Sequence, residues 1–411
     1  MKFFLKTFGC RVNQVESQAI LEAFSARGYE PAPFEQADIC LLNTCTVTHQ
    51  ADKDVEKLIR QILRRNTSAR LVLTGCYAAA HSAHIKQNFP QAEIIGKYEL
   101  GQKLFAAQDL CWTVSGHEGH SRAFIKIQDG CDCFCSYCIV PFARSVKRSK
   151  PVADVLQEIS ALAEKGFGEI VLTGINIGNY KCPQTGKDLA ALCEDIAALP
   201  GRFRVRFSSI ELQTVTEGVI SAMANYPARF CNYLHLPLQS GTDPVLKAMN
   251  RHYTTAEYAQ KVADLRARVP GASVFADVIA GFPTETEADF AVTYHFIESQ
   301  KLCGLHVFSY SSRPGTKAAA LPQLPPEIIK ARAGKLRELD KKLRADFAAS
   351  LVGSVQEVFI EEHSTQGAGG VTSNFQQVIL ENAPADLHGL VSVKITRADG
   401  VVCHGILCDP A

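Results

Sequence analysis

The chain has 411 residues, 46% hydrophobic and 21% charged, a composition that excludes a disordered, collagen-like or coiled-coil chain. At about 150 residues per domain it divides into two or three domains, with ample chain for a buried core. Its 43 basic and 42 acidic side chains leave a net charge of +1, so any nucleic-acid binding has to use local patches.

No apolar run reaches the roughly 18 residues of a membrane span, so no membrane association is expected. Lys6 closes a short apolar start, so a secretory leader is not expected and the cytoplasm is. In that reducing setting the 15 cysteines are not disulfides. Clustered ones read as metal or redox ligands, scattered ones as small buried hydrophobes.

Strand and helix patterns alternate over the first part of the chain. Strands are expected at 2–8, 37–43, 69–74 and 92–95, with helices at 13–26 and 50–65. Cys10, Cys45 and Cys76 each fall just past the carboxyl end of one of the first three strands. In an open parallel α/β sheet these ends share one edge, where ligands bind. Provided that the strands are parallel and adjacent, the three thiols converge there.

A Gly- and His-containing stretch at 112–119 reads as a linker. Six strand-then-helix units follow, with strands expected at 123–128, 169–177, 204–210, 233–238, 274–280 and 305–310. Repeated βα units favour a barrel or doubly wound sheet, and six fall short of the roughly eight of a full barrel. After Pro-rich 321–326 comes a basic helix at 327–349. The remainder reads as short strands at 356–361, 376–380, 390–396 and 401–407, with Gly367-Ala-Gly-Gly370 as a turn. The expected architecture is α/β: a parallel α/β domain over 1–112, a partial (βα)6 barrel over 117–349 and a small all-β barrel over 350–411.

The sharpest chemical signal is Asp129-Gly-Cys131-Asp-Cys-Phe-Cys135-Ser-Tyr-Cys138, directly after the first barrel strand. Cys131, Cys135 and Cys138 have the spacing C-x3-C-x2-C. Three thiolates on one loop can hold three irons of a four-iron cluster and leave the fourth open to a ligand. A structural zinc site with a distant fourth ligand is the plain alternative, but no second C-x2-C pair stands elsewhere to complete a zinc ribbon. Cys133 reads as a bystander within the loop.

This motif after the first strand of a βα barrel resembles the radical S-adenosylmethionine enzymes. Cys138-Ile-Val-Pro-Phe-Ala-Arg144, Glu169-Ile-Val-Leu-Thr-Gly-Ile-Asn176, His235-Leu-Pro-Leu-Gln-Ser-Gly241, Asp277-Val-Ile-Ala-Gly-Phe-Pro283 and Arg313-Pro-Gly-Thr316 narrow the resemblance to the methylthiotransferase family. Gly9-Cys10-Arg-Val-Asn-Gln14, Asn43-Thr-Cys45-Thr-Val-Thr48 and Thr74-Gly-Cys76-Tyr77 do the same for the amino-terminal part. The carboxy-terminal module looks like the TRAM barrel that these enzymes carry.

The resemblance implies two 4Fe-4S clusters and S-adenosylmethionine as cofactors. Cys131, Cys135 and Cys138 would hold the cluster that cleaves S-adenosylmethionine to a 5′-deoxyadenosyl radical. Cys10, Cys45 and Cys76 would hold an auxiliary cluster from which a methylthio group reaches carbon 2 of an adenine. Gly174, Asn176, His235, Gln239 and Gly281 are candidates for the S-adenosylmethionine pocket. The sequence after Cys10 is similar to the branch acting on N6-threonylcarbamoyladenosine in tRNA. Isopentenyladenosine in tRNA and a ribosomal-protein aspartate are the alternative targets of this chemistry. A non-enzymatic RNA-binding iron–sulfur or zinc protein is the alternative of another class. Implied partners are the tRNA substrate and a flavodoxin- or ferredoxin-like reductant; the sequence leaves the oligomeric state open.

RNA binding needs cations on phosphates. Residues 53–70 carry six basic and two acidic side chains, 144–150 four basic and none acidic, and 330–344 seven basic and two acidic. The middle patch follows the cysteine loop, so Arg144 and Arg148 are the expected phosphate contacts. Residues 350–411 carry two basic and seven acidic side chains, so the last module is a poor electrostatic partner for RNA. Stacking through Phe375 is one remaining route.

Overall fold

The computed structural model describes residues 1–106, 110, 112–116, 121–364 and 367–408. Cys111 and residues 117–120 of the expected linker lie outside the described residues. Residues 112–115 are packed: Val114 is buried, its N–H donates to Glu158 at 2.8 Å, and Ser115 N–H donates to Glu22.

Strands β1 (Lys2–Thr7), β2 (Glu30–Pro31), β3 (Ile39–Thr44), β4 (Arg70–Thr74) and β5 (Glu93–Ile94) form a parallel sheet in the order β2-β1-β3-β4-β5. The two-residue β2 is too short to leave a period in the sequence. Every residue of central β3 is buried, as a parallel strand covered on both faces requires. Helix α1 (Arg11–Ser25) packs Ile20 and Phe24 on Phe3, Ile39, Leu41 and Val72. Helix α2 (His49–Arg65), capped by Thr48, packs Val55, Ile59 and Ile62 on the alternate residues Cys40, Leu42, Leu71 and Leu73. Cys40 is thus a core residue.

The central region is an open arc of six parallel strands: β6 (Ala123–Lys126), β9 (Glu169–Thr173), β10 (Arg204–Phe207), β11 (Tyr233–His235), β12 (Ser273–Ala280) and β13 (Gly304–Ser309). A short antiparallel pair, β7 (Gln128–Asp129) and β8 (Arg148–Ser149), flanks the cysteine loop. The arc consists of two three-stranded sheets. Val205 N–H donates to Arg229 O, and Cys231 N–H donates to Val205 O, which stitches β10 to the segment before β11. Side chains alternate: Val274, Ala276, Val278 and Ala280 of β12 join the core under the outer helices, while Phe275, Asp277 and Ile279 face the lumen.

Strands β14 (Val355–Ser364), β15 (Gly367–Thr372), β16 (Gln377–Leu380), β17 (Gly389–Asp399) and β18 (Val402–Leu407) close a small barrel in the order β14-β15-β16-β18-β17. The expected turn Gly367-Ala-Gly-Gly370 is therefore a strand. Its glycines serve close approach: a Cβ on Gly370 would run into the Phe359 carbonyl and the Val358 side chain of β14.

This barrel docks on the amino-terminal ends of the arc strands. Glu169 bonds Arg204 at 2.7 Å and Arg206 at 2.8 Å. Arg204 then donates to the carbonyls of Glu357 and Val371, and Arg206 to those of Thr372 and Ser373. The Phe375 ring lies tilted against Tyr233, centroids 4.7 Å apart, and meets Phe275 edge-on, so it forms the floor of the lumen and is not a platform for RNA bases. Removing one partner of a buried ion pair leaves the other uncompensated. Glu169→Gln is expected to cost about 3–5 kcal/mol, read as a lower guanidinium midpoint by circular dichroism and as faster proteolysis between the arc and the barrel.

Candidate metal centres and the cleft between them

β1, β3 and β4 are adjacent and parallel, so Cys10, Cys45 and Cys76 meet at one sheet edge. The local backbone is built for crowding. Gly9 has φ +98°, and a Cβ there would lie 2.5 Å from Cys45 Cβ and 2.7 Å from its sulfur. Gly75, φ +87°, passes equally close to the Thr44 backbone. Asn13 Nδ2 donates to the carbonyls of Phe8 and Thr44, and Asn43 Nδ2 donates to Asn13 O, which pins the Cys10 loop to the Cys45 loop. Burial, with Cys76 and Cys10 nearby, pushes the Cys45 thiol up to about 11.

The second trio lies on the loop between β7 and β8. Asn250 donates to the carbonyls of Cys133 and Phe134, and Ser136 N–H donates to Met249 O, so the loop is moored to the 249–251 segment. Arg251 reaches Cys135 Sγ at 3.2 Å while paired with Glu211. Hydrogen bonds from the Cys133 thiol and N–H lower Cys131 to about 7. Burial raises Cys138 to about 12.

Among the described residues, the His, Cys, Asp or Glu trio whose ligand atoms all lie within 4.8 Å is His235, Asp277 and His306, and neither cysteine trio is as tight. One zinc ion would draw three sulfurs to roughly 3.8 Å from one another. Neither trio is drawn together as one zinc ion would draw it.

A buried charge network joins the two trios. Arg144 is 3% exposed. Its Nε lies 3.1 Å from Cys76 Sγ, and its NH groups donate to Glu16, Asp129 and Asn13 at 2.7–3.0 Å. Lys126 bonds Glu16 and Asp129 at 2.6 and 2.7 Å, and Lys97 completes the set on Asp129. Arg144 is therefore spent on the fold and is not available to a phosphate. The absence of acidic residues in 144–150 misled the sequence reading, because the partners are distant in the chain. Arg148 is exposed, with its guanidinium 3.9 Å from the centre of the Tyr98 ring.

A cleft opens between the two regions, lined by Val47 and Thr48 after Cys45, by Cys138, and by Gln239, Asp277, Phe308 and Arg313. Arg313 pairs with Asp52 of α2 across it. Of the predicted pocket residues, Gln239 lines the cleft. His235 Nε2 is bonded to Asp277 Oδ1 at 2.7 Å in the lumen. Asn176 is buried beside the loop, its Nδ2 3.6 Å from Cys133 Sγ and its Oδ1 without a partner. Gly174 packs on the Gln128 carbonyl. Gly281 does not turn its open side to the cleft: a Cβ there would meet Ile329 of the long helix Pro326–Ser350. Its N–H donates to Glu285, so it is a strand-end turn. Arg251, Glu211, Glu16, Asp129 and Asp277 carried no spacing signal that marked them as site residues.

Residues 125–297 match the Radical SAM superfamily, and residues 2–96 match the uncharacterized protein family UPF0004. The threonylcarbamoyladenosine tRNA methylthiotransferase MtaB of Bacillus subtilis is 35% identical, the match covering 95% of this chain and 93% of that one. The enzyme of the same name from Thermotoga maritima is 34% identical over 97% and 95% of the two chains. A tRNA-2-methylthio-N(6)-dimethylallyladenosine synthase of Geotalea uraniireducens is 33% identical over 98% of each. The radical S-adenosylmethionine methyltransferase TsrM of Kitasatospora setae shares the fold at TM-score 0.58 and 14% identity, over 77% of this chain and 75% of that one. The chain belongs to the radical S-adenosylmethionine methylthiotransferases, and within them to the MtaB type. It is a tRNA methylthiotransferase, and its family implies a 4Fe-4S cluster and S-adenosylmethionine.

Two tests follow from the network. Arg144→Met leaves Lys97 and Lys126 to balance Glu16 and Asp129 but removes the buried hydrogen bonds to Glu16, Asp129 and Asn13, and is expected to cost about 1–3 kcal/mol, read as a lower thermal midpoint and faster proteolytic separation of the two regions. Glu16 is held down from 4.5 to about 2 by Arg144, Lys126 and Lys97 against the effect of burial. A depressed carboxylate stabilises the fold above its ordinary range, and the contribution is lost as the pH falls through the folded value. Stability is thus expected to fall as the pH drops from about 4.5 to 2, and Glu16→Gln, less stable at neutral pH, to flatten that limb.

Proposed function

We propose that the protein adds a methylthio group to carbon 2 of N6-threonylcarbamoyladenosine at the position 3′ of the tRNA anticodon. The observation that carries this reading is the pair of cysteine trios clamped by one network at the rim of one cleft. The MtaB relatives, and the resemblance of Gly9-Cys-Arg-Val-Asn-Gln14 to that branch, favour this base over isopentenyladenosine.

Cys131, Cys135 and Cys138 would hold one four-iron cluster, and Cys10, Cys45 and Cys76 a second. When bound, the first supplies the electron that cleaves S-adenosylmethionine, and the second an open iron for the sulfur species. The chain's own residues prepare these sites. Arg251 and Arg144 each set a fixed cation against one sulfur of a trio. The Cys45 and Cys138 thiols, both raised by desolvation, would release protons as ligands, so cluster assembly is favoured at higher pH. Asn176, with a buried unbonded Oδ1 beside the loop, offers an acceptor for the methionine amino group.

With Arg144 buried, the exposed Arg148 remains the candidate phosphate contact. A cytoplasmic location with a flavodoxin- or ferredoxin-like reductant belongs to this reading. No described helix is long and apolar enough to cross a membrane.

The test is nucleoside mass spectrometry of tRNA from cells lacking the gene. Loss of the methylthio form of threonylcarbamoyladenosine with accumulation of its precursor is expected. Loss of methylthio-isopentenyladenosine would move the substrate, and an unchanged profile would contradict the reading. In vitro, Cys131→Ala is expected to abolish 5′-deoxyadenosine formation. Cys45→Ala is expected to retain part of it while methylthio product disappears.

A further inference from the structure

Among the described residues, the lumen of the arc holds one guanidinium that no carboxylate bonds, since Asp277 is taken by His235 and His306. Arg204 and Arg206 share Glu169, Arg204 also lies 3.7 Å from Glu357, and Arg122 bonds Glu361 at 2.6 Å. Three arginines thus face three carboxylates. Arg11 is the fourth. It opens α1 directly after Cys10 and enters the lumen, where its surroundings are Tyr233, Arg122, Arg206 and Glu169. Its guanidinium lies 5.8 Å from the Phe124 ring centre. Among the described residues it makes no hydrogen bond and no ion pair.

A partly buried cation beside other cations, facing aromatic rings and lacking a counter-ion, gains from any anion that reaches it. The guanidinium fork suits a planar carboxylate, which it binds through two parallel hydrogen bonds. Arg11 follows Cys10 and reaches down into the lumen, so an anion on it lies inside the lumen, below the edge where the amino-terminal trio sits. The proposed substrate base carries a free carboxylate on its threonyl group, whereas an isopentenyl group carries no charge.

We propose that Arg11 receives this carboxylate and thereby makes the enzyme selective for an adenosine whose N6 substituent is anionic. The inference rests on the threonylcarbamoyladenosine reading above. Arg11 is a specificity residue that touches substrate without touching the reacting carbon.

The experiment compares two anticodon stem-loop RNAs, one bearing threonylcarbamoyladenosine and one bearing its carboxamide. A charge-assisted bidentate contact predicts that wild-type kcat/KM for methylthiolation favours the carboxylate by roughly 10- to 100-fold. Arg11→Gln should reduce that ratio to near one, chiefly through KM, at wild-type iron content. Equal losses on both RNAs would mean that Arg11 holds a backbone phosphate or the fold, and would overturn the proposal. An unchanged ratio in Arg11→Gln would do the same. Wild-type enzyme that makes no distinction between the RNAs overturns it without any variant. Wild-type enzyme inactive on the first RNA but active on isopentenyladenosine RNA overturns the substrate reading itself.

Discussion

The arrangement depends on one buried guanidinium. Arg144 sits at the far end of the cysteine loop, and Asp129 stands at its near end. Arg144 bonds Asp129, Glu16 of α1 and Asn13 and reaches the Cys76 sulfur, so Asp129 and Glu16 are joined through it. The same few hydrogen bonds close the loop and dock the amino-terminal sheet on the arc. They also fix the distance between the two cysteine trios. Lys97, Lys126 and Arg144 bring three positive charges against the two carboxylates Glu16 and Asp129. The Arg144 guanidinium also lies 3.1 Å from the Cys76 sulfur, so the surplus cation faces the amino-terminal trio.

The second constraint acts at the opposite end of the strands. Glu169, Arg204 and Arg206 spend their charge on the backbone carbonyls of the small barrel, and Phe375 seals the lumen below Tyr233. The lumen is therefore closed at the amino-terminal end of the arc and opens toward the cysteines, the end where barrel-type sheets place their chemistry. The acidic character of the last module is consistent with its position: its contacts run to arginines of the arc.

Much of this was legible in the sequence. Strict β–α alternation placed Cys10, Cys45 and Cys76 at strand ends, and parallel pairing of neighbours then brought them together. The six arc strands overlap the expected spans: four are shorter by two to four residues at their ends, and two start one residue earlier. What failed to show were partnerships over long separations. Arg144 looked like a surface cation because its partner Glu16 is 128 residues away, and Arg251 lies 116 residues from Cys135. Gly367-Ala-Gly-Gly370 looked like a turn because its reason for glycine, contact with β14, is tertiary. Phe375 looked exposed for the same reason.

The central claim is that the two trios are separate cluster sites facing one cleft. The most direct measurement is iron and acid-labile sulfide per chain after anaerobic reconstitution. The wild type and the two triple cysteine-to-alanine variants, one for each trio, would be compared. The account predicts about eight irons in the wild type and about four in each variant. A variant at Cys10, Cys45 and Cys76 that keeps the wild-type iron content, or a wild type that takes up about four, would contradict it.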